Sequence, residues 1–184
     1  MYSSLKLLAI VGMPGSGKSV AADYFRSKNA TILRFGDQTD IGLKEANLPI
    51  NEENERMYRE KLRTEFGMAA MAIKIEPRII NAAKDNFCVV LDGLYSWEEY
   101  IYLKKKFPSL TLLCIYAAPR ARYRRLKDRK VRPLSETEAR TRDYAEIENL
   151  HKGGPIAIAD YLIVNDTDVA SFNLKLSNFY RTFI

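Results

Sequence analysis

The chain has 184 residues, 47% of them hydrophobic and 28% charged, with a formal net charge of +6. That is enough for one domain with a sizeable core and too little for two ordinary ones. Two cysteines without C-x-x-C spacing and a single histidine, His151, exclude a disulfide framework and a histidine zinc cluster, and no apolar run reaches the ~20 residues of a membrane span.

Mild basicity suits phosphorylated ligands, with nucleic acid as a less favoured alternative. The apolar start leads straight into a glycine-rich turn rather than a signal segment, so the expected location is the cytoplasm. Cys88 and Cys114 lie inside apolar runs and read as small core residues.

Leu5–Val11 is an apolar run suited to a buried strand, and a helical pattern covers Lys18–Ser27. Between them Gly12-Met13-Pro14-Gly15-Ser16-Gly17-Lys18-Ser19 fits G-x-x-x-x-G-K-[ST], the phosphate-binding P-loop, in its strand–turn–helix context. Gly12, Gly15 and Gly17 let the backbone curl so that its N–H groups and the helix N-terminus cradle phosphate oxygens. The nucleotide-binding stretch therefore runs from Gly12 to Val20. Lys18 adds a mobile charge for the β- and γ-phosphates, and Ser19 offers a hydroxyl to Mg²⁺.

Further strand-length runs fall at Ala30–Phe35, Phe87–Leu91, Leu110–Ala117 and Tyr161–Val164. Helical patterns lie near Glu53–Ala83, Trp97–Phe107, Arg120–Lys130, Glu136–Leu150 and Val169–Tyr180. Near-continuous apolar strands alternating with helices argue for a parallel sheet covered on both faces. Such sheets bind ligands beyond their carboxyl ends, and Gly12, Asp37, Asp92 and Asn165 all fall just after strand ends. Gly36–Ala83 and Arg120–Leu150 exceed a minimal sandwich and read as lid or substrate-binding excursions.

Asp92 ends an apolar strand, the setting of a Walker B carboxylate that holds Mg²⁺ together with Ser19; an Asp-Gly turn is the local alternative. Asp37 follows the second strand, where an acid can orient an acceptor or take its proton, or can cap a helix; Asp40 is a weaker competitor. Along the next helical stretch Met57, Leu62 and Phe66 are expected to face inward. Arg56, Arg59 and Arg63 form a stripe that could hold an acceptor phosphate, although a solvated face laced by glutamates is the favoured reading.

Residues 120–132 hold eight Lys or Arg against one Asp, a basic helix leading into a lid. Arg122 and Arg125 are the candidates for stabilising a transferring phosphate, with Arg140 and Arg142 downstream. Aromatic interleaving is limited to Tyr123 and no RNA-binding motif is present. Asn165-Asp166 departs from the guanine-reading N-K-x-D, and no D-x-x-G follows the third strand, which argues against a GTPase. The Asn165 loop is expected to pass over an adenine, with Asp166 or Thr167 capping the last helix.

Taken together, the chain resembles P-loop nucleotide-kinase-type proteins and is most similar to the archaeal adenylate-kinase-related and dephospho-coenzyme A kinase-like group. The likeness rests on Ile10–Ser19, Val90-Leu91-Asp92-Gly93, Pro119–Leu126, Arg142-Asp143 and Ala159–Asp166. It implies a P-loop NTPase three-layer α/β/α sandwich with a five-stranded parallel sheet. The whole chain, 1–184, would be one kinase-like domain with an acceptor-binding insertion over about 37–83 and a lid over about 119–145. It also implies an enzyme moving the γ-phosphoryl group of ATP, with Mg²⁺, to a nucleoside monophosphate or dephospho-coenzyme A. The alternative is an ATP-binding regulatory or RNA-associated NTPase. Asp92-Gly93-Leu94-Tyr95-Ser96 departs from the Asp-Gly-Phe-Pro-Arg of adenylate kinases, lacking the phosphate-binding arginine.

Overall fold

A computed structural model describes residues 5–184. Its centre is strand β1 (Lys6–Val11), in which every residue after Lys6 is buried. A strand covered on both faces has no polar side to alternate with, which is why this segment reads as a continuous apolar run. β1 lies between β3 (Cys88–Asp92) and β4 (Thr111–Tyr116), with β2 (Thr31–Arg34) and β5 (Tyr161–Val164) at the edges. The order is β2-β3-β1-β4-β5 and every pairing is parallel.

Helices cover both faces. Leu8, Ile10, Val90, Leu113 and Ile115 pack on α1 (Lys18–Ser27) and on α9 (Val169–Phe183) through Phe25, Phe172 and Leu176. Leu7, Ala9, Leu91 and Leu112 pack on the other side against α3 (Glu52–Phe66), α4 (Ala70–Asp85) and α5 (Trp97–Lys106) through Leu62, Ile75, Ile79 and Leu103. Truncating a fully buried aliphatic such as Ile75 to Ala costs about 2–5 kcal/mol. Cys88 and Cys114 are buried, free core residues, as expected.

The long 53–83 pattern is not one helix. Gly67, at φ +71°, ends α3, and the short 3-10 turn Gly67–Ala69 redirects the chain into α4. A positive φ is cheap only for glycine, so the break falls there. Leu62 is buried and Phe66 packs on the core, but Met57 is 48% exposed. Tyr58 takes its place, four residues before Leu62 and packed beneath α2 (Asp37–Glu45). The residue facing inward is the one in step with the i, i+4 spacing of Leu62 and Phe66.

After β4 come α6 (Pro119–Lys127) and α7 (Glu136–Glu148), the latter opened by a Ser135/Glu138 capping box. A short helix, α8 (Gly153–Ala157), precedes β5 and has no signal in the sequence pattern. Asp168 caps α9, accepting from Ser171 N at 2.9 Å. Neither Asp166 nor Thr167 is the cap: Asp166 instead accepts from Ala118 N at 2.8 Å, tying β5 to the start of α6. Among the described residues no helix is long and apolar enough to cross a membrane.

Candidate phosphate-transfer site

The order β2-β3-β1-β4-β5 reverses direction at β1, so a crevice opens beyond the carboxyl ends of β1 and its neighbours. The segment after β1 fills it with a tight loop. Gly12, at φ +142°, lies so close to β4 that a Cβ would overlap the Ile115 carbonyl oxygen. Gly17, at φ +107°, starts α1, and a Cβ there would overlap Asn165 Nδ2. The first turn of α1 leaves its N–H groups without intrahelical acceptors, a ready cradle for anions. Ser16 Oγ is buried with no hydrogen-bond partner among the described residues. Curvature, open N–H groups and an orphaned hydroxyl fit a polyphosphate.

Lys18 folds over this loop, its Nζ donating to Gly12 O at 2.8 Å and Met13 O at 3.1 Å. Shielding of the ammonium, and then the charge of Lys152, lower its pKa to about 7. Asp92 stands one strand away, paired in register with Ile10 and with Arg34 on β2. Burial pushes its carboxyl up, opposed by Lys18 and then by Arg34, whose Nε lies 3.8 Å from Asp92 Oδ2. Among the described residues no three His, Cys, Asp or Glu cluster as a metal site. The donor set of Ser19 and Asp92, one hydroxyl and one carboxylate, suits Mg²⁺, which keeps most of its own waters.

Asp37 opens α2 but its side chain caps nothing; Gly36 is the N-cap residue. Its carboxylate lies 3.4 Å from Arg78 and 3.9 Å from Arg34. It faces a cleft of about 430 Å³ that also carries Asp40, Arg59, Arg63, Tyr95, Arg132 and Arg142. Arg59 and Arg63 of the sequence stripe thus point into the cleft, while Arg56 remains on the surface beside Glu60. Arg34, hidden in sequence at the end of a strand, and Arg132, in the α6–α7 connection, complete the cationic wall.

The basic helix α6 splits by face. Arg122 is buried and bidentate to Asp143, with Nη1–Oδ1 at 2.9 Å and Nη2–Oδ2 at 2.7 Å, and Nη1 also reaches Pro14 O at 3.1 Å. Arg125 donates to Asn165 O at 2.8 Å and to Gly15 O at 3.4 Å. Asn165 Nδ2 in turn donates to Ser16 O at 2.8 Å. Arg122, Arg125 and Asn165 therefore converge on the backbone of the P-loop. Arg120, Arg124, Lys127 and Arg140 face outward and line a separate open groove.

A buried lysine also escaped the sequence reading. Lys152, in the connection after α7, is 1% exposed, with its ammonium paired to Glu146 and 4.4 Å from the centre of the Tyr95 ring. No motif or periodicity flags it, because its burial is produced by α5 and α7 closing around a connecting loop.

An AAA domain profile matches residues 8–148. A UPF0200 protein of Pyrococcus abyssi is 32% identical over 179 residues, covering 95% of each chain. A UPF0200 protein of Sulfurisphaera tokodaii is 33% identical over 177 residues, 94% of each chain. Among solved structures, TT1252 from Thermus thermophilus is similar with a TM-score of 0.66 at 18% identity, over 98% of each chain. Shikimate kinase from Bacteroides thetaiotaomicron is similar with a TM-score of 0.62 at 13% identity, over 96% of this chain and 97% of that one. At such identities the likeness is one of fold: a P-loop kinase-like α/β sandwich.

Proposed function

The chain belongs to the UPF0200 family, and we propose that it is an ATP- and Mg²⁺-dependent phosphotransferase acting on a small, phosphate-bearing, nucleotide-like acceptor. The observation that supports this reading best is the placing of a P-loop and an arginine-lined cleft side by side on one rim of the sheet. The likeness of Pro119–Leu126 and Ala159–Asp166 to adenylate-kinase-related and dephospho-coenzyme A kinase-like chains favours a nucleoside monophosphate or dephospho-coenzyme A.

In this reading residues 12–20 bind the donor phosphates, and Lys18 leaves its loop carbonyls to neutralise them. Ser19 and Asp92 hold Mg²⁺, which when bound neutralises β/γ-phosphate charge. Asp37, steadied between Arg34 and Arg78, orients the acceptor or takes its proton. Arg59, Arg63 and Arg142 hold the acceptor phosphate. Arg122 positions the P-loop through Pro14, and Arg125 braces Gly15 against the Asn165 loop that passes over the base. Residues 37–83 serve as the acceptor-binding insertion and 119–145 as the lid that excludes water.

The test is ADP production from ATP and Mg²⁺ with a panel of nucleoside monophosphates, their deoxy forms and dephospho-coenzyme A, using Lys18→Ala as blank. Strong stimulation by one acceptor, with a matching phosphorylated product, is expected. The outward groove lined by Arg120, Arg124, Lys127 and Arg140 favours one second reading, an RNA-associated NTPase. Slow acceptor-independent ADP release with steeply salt-dependent RNA binding would support that reading instead.

A further inference from the structure

Lys152 is the most deeply buried cation of the rim, and nothing in the reaction outlined above uses it. Its ammonium pairs with Glu146, whose other carboxylate oxygen takes Arg142 Nε at 3.0 Å. One carboxylate therefore serves two cations. The neighbouring acids do little to correct the balance. Asp143 is engaged by Arg122. Burial raises the Glu99 carboxyl to about 7, which favours its neutral form. Arg142 is 46% exposed, so an anion that draws the buried ammonium away leaves Glu146 with a partner.

The surroundings say where that anion sits. Glu146 and Arg142 line the acceptor cleft together with Tyr95, whose ring carries the Lys152 ammonium at 4.4 Å. The charges acting most strongly on Lys18 are those of Lys152 and Glu146, followed by Asp92 and Arg142. Lys152 is thus coupled to the donor lysine on one side and, through its partners Glu146 and Tyr95, borders the acceptor cleft on the other. It is also held firmly. Its N–H donates to Glu146 O at 3.2 Å, the preceding His151 bonds Glu98 at 2.7 Å, and a Cβ on Gly154 would come within 2.7 Å of the Trp97 ring. These contacts fasten the Lys152 segment to the end of α7 and to the start of α5.

We propose that Lys152 is a second phosphoryl-binding lysine, contacting the γ-phosphoryl group between Lys18 and the acceptor cleft, with Glu146 as the carboxylate that holds it when no phosphate is bound. The proposal rests on the phosphotransferase reading. It assigns Lys152 to the group in transit, since an acceptor phosphate already has Arg59, Arg63 and Arg142.

The experiment is calorimetric binding of Mg²⁺-AMPPNP and Mg²⁺-ADP to the unaltered protein and to Lys152→Met, Lys152→Arg and Glu146→Gln. The unaltered protein is expected to prefer the triphosphate analogue. Lys152→Met should keep its ADP affinity and lose about tenfold to hundredfold of that preference, the range of a charged hydrogen bond. Lys152→Arg should retain part of it, and Glu146→Gln should weaken it as pH rises, because burial lowers the Lys152 pKa and Glu146 is the charge that opposes this. A Lys152→Met protein that keeps the native ratio, or weakens both nucleotides equally, overturns the proposal. If that variant does not fold, Lys152→Met with Glu146→Leu removes the pair together; loss of the preference supports the role and retention overturns it. Failure of the unaltered protein to bind either nucleotide sinks the phosphotransferase reading and this proposal with it. Normal binding with an unchanged ratio sinks only the role of Lys152.

Discussion

Arg122 and Asp143 form a buried bidentate ion pair, 2.7 and 2.9 Å long, that fastens α6 to α7 while the same guanidinium grips the Pro14 carbonyl of the P-loop. Helices α6 and α7 and the phosphate loop are therefore one mechanical unit. Arg122→Ala leaves Asp143 buried without its counter-charge, with only the Tyr123 hydroxyl donating to it, and should cost about 3–5 kcal/mol in chemical denaturation. The double variant Arg122→Met with Asp143→Leu should recover much of that loss. Equal destabilisation by single and double variants would show that packing, not charge, holds the joint.

Lys18 offers a pH test. Its pKa in the folded chain is about 7, lowered chiefly by burial, against an ordinary 10.5. Between those values the unfolded chain keeps a proton that the folded chain has lost, so stability rises with pH across that window. Below about 7 both states are charged, and the penalty of burying the ammonium is fully present. A polyphosphate draws the proton back. Binding of Mg²⁺-ATP at about pH 8.5 should therefore take up close to one proton, as measured by calorimetry in buffers of different ionisation enthalpy. Lys18→Met should show no such uptake.

Asp37→Asn preserves shape but removes the charge held between Arg34 and Arg78. Transfer to the acceptor should fall about 10²–10⁴-fold, the range for a general base, while the Mg²⁺-ATP dissociation constant stays within about twofold. A native transfer rate would remove Asp37 from the chemistry.

Arg63→Ala should raise the acceptor KM by about tenfold or more and leave the ATP KM in place, since it removes one charged contact from the acceptor side alone. Arg56→Ala is the matched control: it lies about two turns away on the same helix but points to solvent beside Glu60. Equal effects of the two variants would mean a general electrostatic influence rather than a phosphate contact.

Much of this was legible in the chain itself. The P-loop is local: six residues of backbone and two side chains make the cradle, so spacing alone identifies it. Buried parallel strands are legible because both faces are apolar, and the predicted strands lie within a residue of those observed. The acids Asp37 and Asp92 are legible because strands end at a common rim. The break at Gly67 and the inward turn of Tyr58 were not, since periodicity over 53–83 continues through a single glycine whose φ only the fold selects.

What the sequence by itself determined is the fold class, the phosphate loop and the rim that carries the candidate site, all set by short-range pattern and glycine geometry. What only the tertiary structure decided is the use of each charge. Within the basic run it separates Arg122 and Arg125, turned onto the P-loop, from Arg120, Arg124 and Lys127 on the open groove. It also buries Lys152 against Glu146. The physical reason is that a charge has no periodic signature: its role depends on which distant carboxylate, carbonyl or ring the packing brings within a few ångströms.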